Sequence, residues 1–216
     1  MFYKEIEDDR YHRYRSWEHC YTFFQKHKNS GKSGSMEIKS LHLAFYLASW
    51  GMYRGSSNLL QKDYPVHKQI VAELFAQKYE ALWNIDFDAI DENGLEINSV
   101  FQLAKTITQL YKRLQISPTD TLVTKVLLGT LGCIPAYDTL FINGVTYWNQ
   151  ALSNCHKQSF PARFGQNSYR GLIDFYRENR EDFLDAQAYI SKRGTIYPVM
   201  KLADMYFWSL GSQIGR

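Results

Sequence analysis

Cysteine is scarce and unpatterned in this 216-residue chain: Cys20, Cys133 and Cys155 are an odd number, widely spaced, with no CxxC. That excludes a disulfide framework as the basis of the fold and points to a reducing compartment. His19-Cys20 and Cys155-His156 are neighbours without zinc-ligand spacing, so neither a structural metal nor any cofactor is expected. No apolar run reaches the roughly 18 residues that cross a bilayer. The charged, aromatic start MFYKEIEDDRYHRYR is unlike a secretory signal. No membrane partner is expected, and the cytoplasm is the expected location. Strong charge of either sign is missing too: 25 Lys and Arg against 22 Asp and Glu leave +3, which permits nucleic-acid binding without demanding it. Segments of alternating hydrophobicity are absent, which excludes a β architecture.

Several catalytic signatures are absent or only mimicked. There is no GxSxG elbow and no HExxH, and His12, His19, His27, His42, His67 and His156 are scattered. Ser30-Gly31-Lys32-Ser33 ends like a phosphate-binding loop, but Lys26 stands where the first glycine belongs. The acidic run from Asp86 places Asp91 where a calcium loop requires glycine, and reads as a solvated face.

What the chain does have is a succession of helical signals and many aromatic rings, with 16 Tyr, 13 Phe and 5 Trp. Buried tyrosine needs a partner for its hydroxyl, so many of these rings are expected at half-exposed surfaces or in pockets. Ser16 suits the cap of a helix to about Lys28, followed by the break Asn29–Ser35. Ile38, Leu41, Phe45 and Ala48 recur at helical intervals, predicting a core helix that stops near Gly51. Pro65 opens another helix carrying Val66, Ile70, Leu74 and Trp83. Asn98 suits the cap of the clearest helix, with a four-turn stripe of Val100, Leu103, Ile107, Leu110 and Leu114. Ser117-Pro118-Thr119-Asp120 is a strong helix start. Later helices are expected over about 138 to 152, 167 to 191 and 197 to 210. The fold class is all-α, one compact multi-helix domain over residues 1–216, with room for two lobes and a cleft.

The segment of most interest is KVLLGTLGCIPAYDTLF, Lys125 to Phe141. A helix runs into a loop with two glycines and a proline, and a lone carboxylate, Asp138, follows among apolar neighbours. A carboxylate there either caps the next helix or, facing a cleft, stabilises a developing positive charge or activates a water.

Helix, glycine-containing turn, then an aspartate opening the next helix is similar to the core of the helix-hairpin-helix DNA glycosylases, and Pro135-Ala136-Tyr137-Asp138 resembles the segment that carries their aspartate. The resemblance implies that fold and cleavage of an N-glycosidic bond in double-stranded DNA bearing a damaged or modified base. It assigns Asp138 to support of the oxocarbenium-like sugar, with Lys125 as the counterpart of the lysine that bifunctional members use. The hairpin signature L-P-G-[IV]-G is replaced here by Leu128-Gly129-Thr130-Leu131-Gly132. By analogy with some bacterial glycosylases, defence against phages with modified bases is one setting.

An extruded base needs flat surfaces and a few polar groups at its edge. Trp50, Tyr53, Arg54 and Ser56, with Tyr137, supply those types. Lys157, Arg163, Arg170 and Arg177, interleaved with aromatics, suit the DNA backbone, as does the basic break around Lys26, Lys28, Lys32 and Lys39. A monomer is expected. The alternatives are a non-catalytic helical module that binds nucleic acid or protein, with Asp138 as a cap only, and a metal-dependent hydrolase built on the acidic loop.

Overall fold

A computed structural model describes residues 9–29, 35–91, 94–152, 159–192 and 194–214. Lys32 and Lys157 lie outside them. The described residues are helical without a strand. In order they form α1 (Tyr14–His27), α2 (Met36–Ser49), short 3-10 turns at Gly55–Ser57 and Tyr64–His67, and α3 (Lys68–Leu74). A 3-10 stretch, Gln77–Asn84, precedes α4 (Leu95–Arg113), α5 (Asp120–Thr130), α6 (Thr139–Leu152), α7 (Gln166–Glu178), α8 (Arg180–Ser191) and α9 (Val199–Ile214). No described helix is long and apolar enough to cross a membrane.

The helix α5 is the axis of the fold. Its residues from Leu122 onward, and the loop through Tyr137, are buried without interruption. Thr119 starts it by accepting a hydrogen bond from the Leu122 N–H at 3.2 Å. From outside, α1 donates the Trp17 Nε1–H to the Leu128 carbonyl at 3.1 Å. Across the core, α6 and α9 pack backbone against backbone: a methyl on Gly144 would fall inside the Phe207 carbonyl, and one on Gly211 inside that of Leu140. Only glycine permits that approach at both positions.

Several sequence expectations are corrected in detail. Three expected caps move: Ser16 lies inside α1, its hydroxyl donating to the Arg13 carbonyl at 2.6 Å; Asn98 lies inside α4, which follows Gly94; and Thr119, not Ser117, caps α5. The helix opened by Pro65 does not reach Trp83; α3 stops at Leu74 and the chain continues as 3-10 turns. The long helix over 167–191 is two helices, broken at Asn179, whose side-chain amide donates to the Phe175 carbonyl at 2.7 Å. The stripe Ile38, Leu41, Phe45 and Ala48 faces solvent, while Leu43, Ala44, Tyr46 and Leu47 face the core. Because α2 is apolar on both sides, helical spacing could not choose between them. Its inner face even buries Lys39, whose ammonium lies 4.1 Å from the centre of the Phe75 ring.

Tyrosine is more deeply buried than the sequence suggests. Tyr111 meets His67 Nδ1 at 2.9 Å, Tyr137 meets Ser168 at 2.8 Å, Tyr169 donates to the Cys133 carbonyl at 2.7 Å, and Tyr197 donates to Glu18 at 2.6 Å. With their hydroxyls satisfied, these rings carry their apolar area into the core at little polar penalty.

Candidate active site

The site is built on the buried loop between α5 and α6. Gly132 turns the chain at φ 67°, and its N–H returns to the Leu127 carbonyl at 2.9 Å. Beyond it, side chains meet the backbone groups one at a time. Tyr169 donates to the Cys133 carbonyl; Pro135 has no N–H to satisfy; the Ala136 N–H donates to Asp204 Oδ1 at 3.0 Å. The Tyr137 N–H donates to Thr124 Oγ1 at 3.0 Å, and Thr121 donates to the Tyr137 carbonyl at 2.8 Å. A buried loop needs such partners for its backbone groups. The result fixes the position at which Asp138 emerges.

Asp138 caps the next helix, as its place in the sequence allowed, and also pairs with a lysine. One carboxylate oxygen, Oδ1, accepts the Phe141 N–H at 3.1 Å and caps α6. The other, Oδ2, lies 3.0 Å from Lys125 Nζ. The lysine side chain is 4% exposed and the aspartate side chain 19%, so the carboxylate is the partner that reaches towards solvent. The Trp50 ring centre lies 4.8 Å from the same ammonium.

A second ion pair stands beside the first. In the first turn of α9, Lys201 Nζ meets Asp204 Oδ2 at 2.8 Å, both side chains almost fully buried. The Lys201 ammonium lies over the rings of Trp17, Tyr14 and Trp50 at 4.9, 5.1 and 5.8 Å. The Arg13 guanidinium faces Trp50 from outside at 4.8 Å. One indole is therefore shared by three cations, two of them paired with carboxylates. Its Nε1–H is buried and has no acceptor. Tyr14 lies edge-on to Trp50 at 5.1 Å, and its hydroxyl is held well above the usual phenol range by burial and then by the Asp204 charge. Burial and the Asp204 charge act on Tyr46 in the same direction.

The other residues singled out in the sequence are dispersed. Tyr53 donates to, or accepts from, His67 Nε2 at 2.9 Å, and burial pushes its hydroxyl up to about 12. Arg54 and Ser56 are exposed on the turn after α2. Tyr137 is buried with its hydroxyl on Ser168, so its ring offers no face to a ligand from solvent. Arg163 is exposed, and Arg170 is half-buried on α7 with Nη1 3.4 Å from Asn167 Oδ1. Arg177 turns inward and donates to the carbonyls of Phe87 and Ile90 at 3.3 and 2.6 Å. Its neighbour Arg180 meets Asp88 at 2.9 Å, and that hydrogen bond holds the Asp88 carboxyl below its usual range. These arginines bind the acidic loop to the α7–α8 turn. Lys26 is exposed, and Lys28 donates to Asn84 at 2.7 Å.

Among the described residues no group of three His, Cys, Asp or Glu side chains converges as a metal site. Burial raises both described thiols, Cys133 to about 12 and Cys20 higher, so neither supplies a thiolate nucleophile. Sequence reasoning reached Lys125, Asp138 and Trp50 but missed Lys201, Asp204, Arg13 and Tyr14. A signal for the second pair was present: Lys201 and Asp204 stand one turn apart in an otherwise apolar helix.

No protein-family model, no curated protein and no solved structure matches this chain.

Proposed function

We propose that this chain is a DNA glycosylase-like enzyme of the helix-hairpin-helix type, which hydrolyses the N-glycosidic bond of a modified or damaged base using Asp138. The observation that carries this reading is the asymmetry of the Lys125–Asp138 pair. A carboxylate is fixed by a helix N-terminus on one oxygen and an ammonium on the other, and it alone of the pair reaches outward. Such a group is held for electrostatic work and does not reorganise as charge develops. As the bond from the sugar C1′ to the base breaks, the Asp138 carboxylate stabilises the cationic sugar. A water attacks C1′, its proton passes to the carboxylate, and the base leaves with the bonding electrons and is protonated from solvent. Lys125 acts as counter-ion and positioning group. Trp50 stands beside the carboxylate as the aromatic neighbour of the Lys125 ammonium, with an unpaired buried Nε1–H.

The test is incubation with duplex DNAs carrying different modified bases, scoring abasic sites for the parent and for Asp138→Asn. Base release by the parent and none by the variant is the expected result; equal release from both sinks the reading. Borohydride trapping of an enzyme–DNA adduct would move Lys125 from counter-ion to nucleophile.

The second reading, a non-catalytic helical binding module, draws on the completeness of the Asp138 cap, to which Asn is nearly equivalent. On that reading the parent releases no base from any DNA while Asp138→Asn binds as the parent does.

A further inference from the structure

A cleft of about 670 Å³ opens between the end of α7 and the facing sides of α8 and α9. Two helices supply its long walls with the same rhythm: Phe183, Ala186 and Ile190 from α8, and Leu202, Met205 and Ser209 from α9, each spaced three and then four residues. Stripes so spaced run along helix axes, so the cleft is a trough about 12 Å long, two turns or more. Its floor is apolar, and Met205 adds a side chain that adapts to what lies on it. Among the described lining residues the fixed charges are Asp182 and Asp185, both exposed along the α8 rim; α9 contributes the neutral Tyr206 and Ser209 opposite. The trough is separate from the Lys125–Asp138 pair and plays no part in the chemistry proposed for it.

We propose that this trough receives an amphipathic helix from a partner protein, its apolar stripe flanked by lysine or arginine. The shape selects a helix because both walls present anchor positions at one-turn intervals, the mode in which helices seat in grooves. The charge selects the partner's sign: two rim carboxylates, with no cation among the described lining residues, attract a basic flank and repel an acidic one. The same carboxylates oppose nucleic acid and anionic lipid.

The probe is a fluorescent helical peptide of about 15 residues with leucines at i, i+3, i+4 and i+7 and lysines on both flanks. Its control carries the same leucines with glutamates. Anisotropy is read on the full chain. The parent is expected to bind the lysine-flanked peptide about tenfold more tightly than the glutamate-flanked one, a preference that shrinks with added salt. Asp182→Lys/Asp185→Lys, at exposed positions, should invert the preference. Ala186→Trp, which fills the trough, should remove binding of both. Failure of the parent to bind the lysine-flanked peptide, equal binding of the two peptides, or binding that survives both variants would overturn the proposal. A dimer in sedimentation equilibrium that Ala186→Trp dissolves would overturn it as well, by naming a second copy of the chain as the occupant.

Discussion

Asp204 accepts a hydrogen bond from the backbone N–H of Ala136 at 3.0 Å, two residues ahead of Asp138 and a long way from it in sequence. Through this contact the first turn of α9 holds the loop that presents the candidate catalytic carboxylate. The same aspartate neutralises Lys201. Removing it leaves an ammonium buried among aromatic rings, where desolvation is not compensated. Asp204→Ala is therefore expected to lower unfolding free energy by about 3–5 kcal/mol, measured by urea denaturation. Asp204→Asn keeps an acceptor for Ala136 and should be the milder change.

Asp138→Asn separates the two roles of that residue. The cap on α6 survives, because the amide oxygen still accepts the Phe141 N–H, and the ion contact with Lys125 is lost. Because the nearly buried Lys125 loses its counter-charge but keeps an amide oxygen as acceptor, stability should fall by about 2–3 kcal/mol, while base release should disappear. Circular dichroism melts run beside the abasic-site assay check both at once.

His67 makes acid stability depend on one imidazole. Its ring lies between the hydroxyls of Tyr53 and Tyr111, and burial lowers its pKa from 6.5 to about 3. A neutral imidazole with one N–H and one lone pair satisfies both tyrosines, one as donor and one as acceptor. Below pH 6.5 the unfolded chain takes up a proton that the folded chain refuses until about pH 3. The stabilisation is therefore complete above pH 6.5 and is lost as pH falls towards 3, with a limiting slope of about 1.4 kcal/mol per pH unit. Urea midpoints at a series of pH values should show that slope in the parent minus a His67→Gln variant.

Gly144→Ala should be among the most damaging single substitutions. The added methyl meets the Phe207 backbone, which cannot rotate away as a side chain would. A loss of about 3 kcal/mol or more, seen as a large drop in melting temperature, is expected. Gly55→Ala, where the same methyl meets nothing, is the control.

Two arginines that look alike in the sequence should behave oppositely. Arg177→Ala removes two hydrogen bonds to the carbonyls of Phe87 and Ile90, and should loosen the acidic loop, read as faster hydrogen exchange there. Arg163→Ala, at an exposed position, should leave that exchange unchanged and reduce only the salt-dependent part of any DNA affinity.

Much of the helical layout could be read from the sequence because its signals are local. The run Ser117 to Asp120 announces the start of α5, although the cap is Thr119 and not Ser117, and the stripe from Val100 to Ile107 marks the buried side of α4. Lys125 and Asp138 could be paired as candidates because they bracket one loop. What could not be read depends on partners distant in the chain. No local pattern tells that α2 buries Lys39 and exposes Phe45, since both of its sides are apolar enough to be inner ones. Nor does periodicity reveal that Arg177 points at a loop ninety residues earlier. The second ion pair lay in plain view as Lys201 and Asp204, but its relation to Asp138 exists only once α9 has folded back onto the loop after α5.

The glycine-to-glycine seating of α9 on α6 also orders events during synthesis. When α1 to α8 have left the ribosome, the face of α6 around Gly144 and the loop ahead of Asp138 still lack the helix that covers them. A nascent chain paused before α9 would expose apolar surface and be a target for chaperones and proteases. Translation of α9 would then close the core and set the candidate carboxylate in place in the same step.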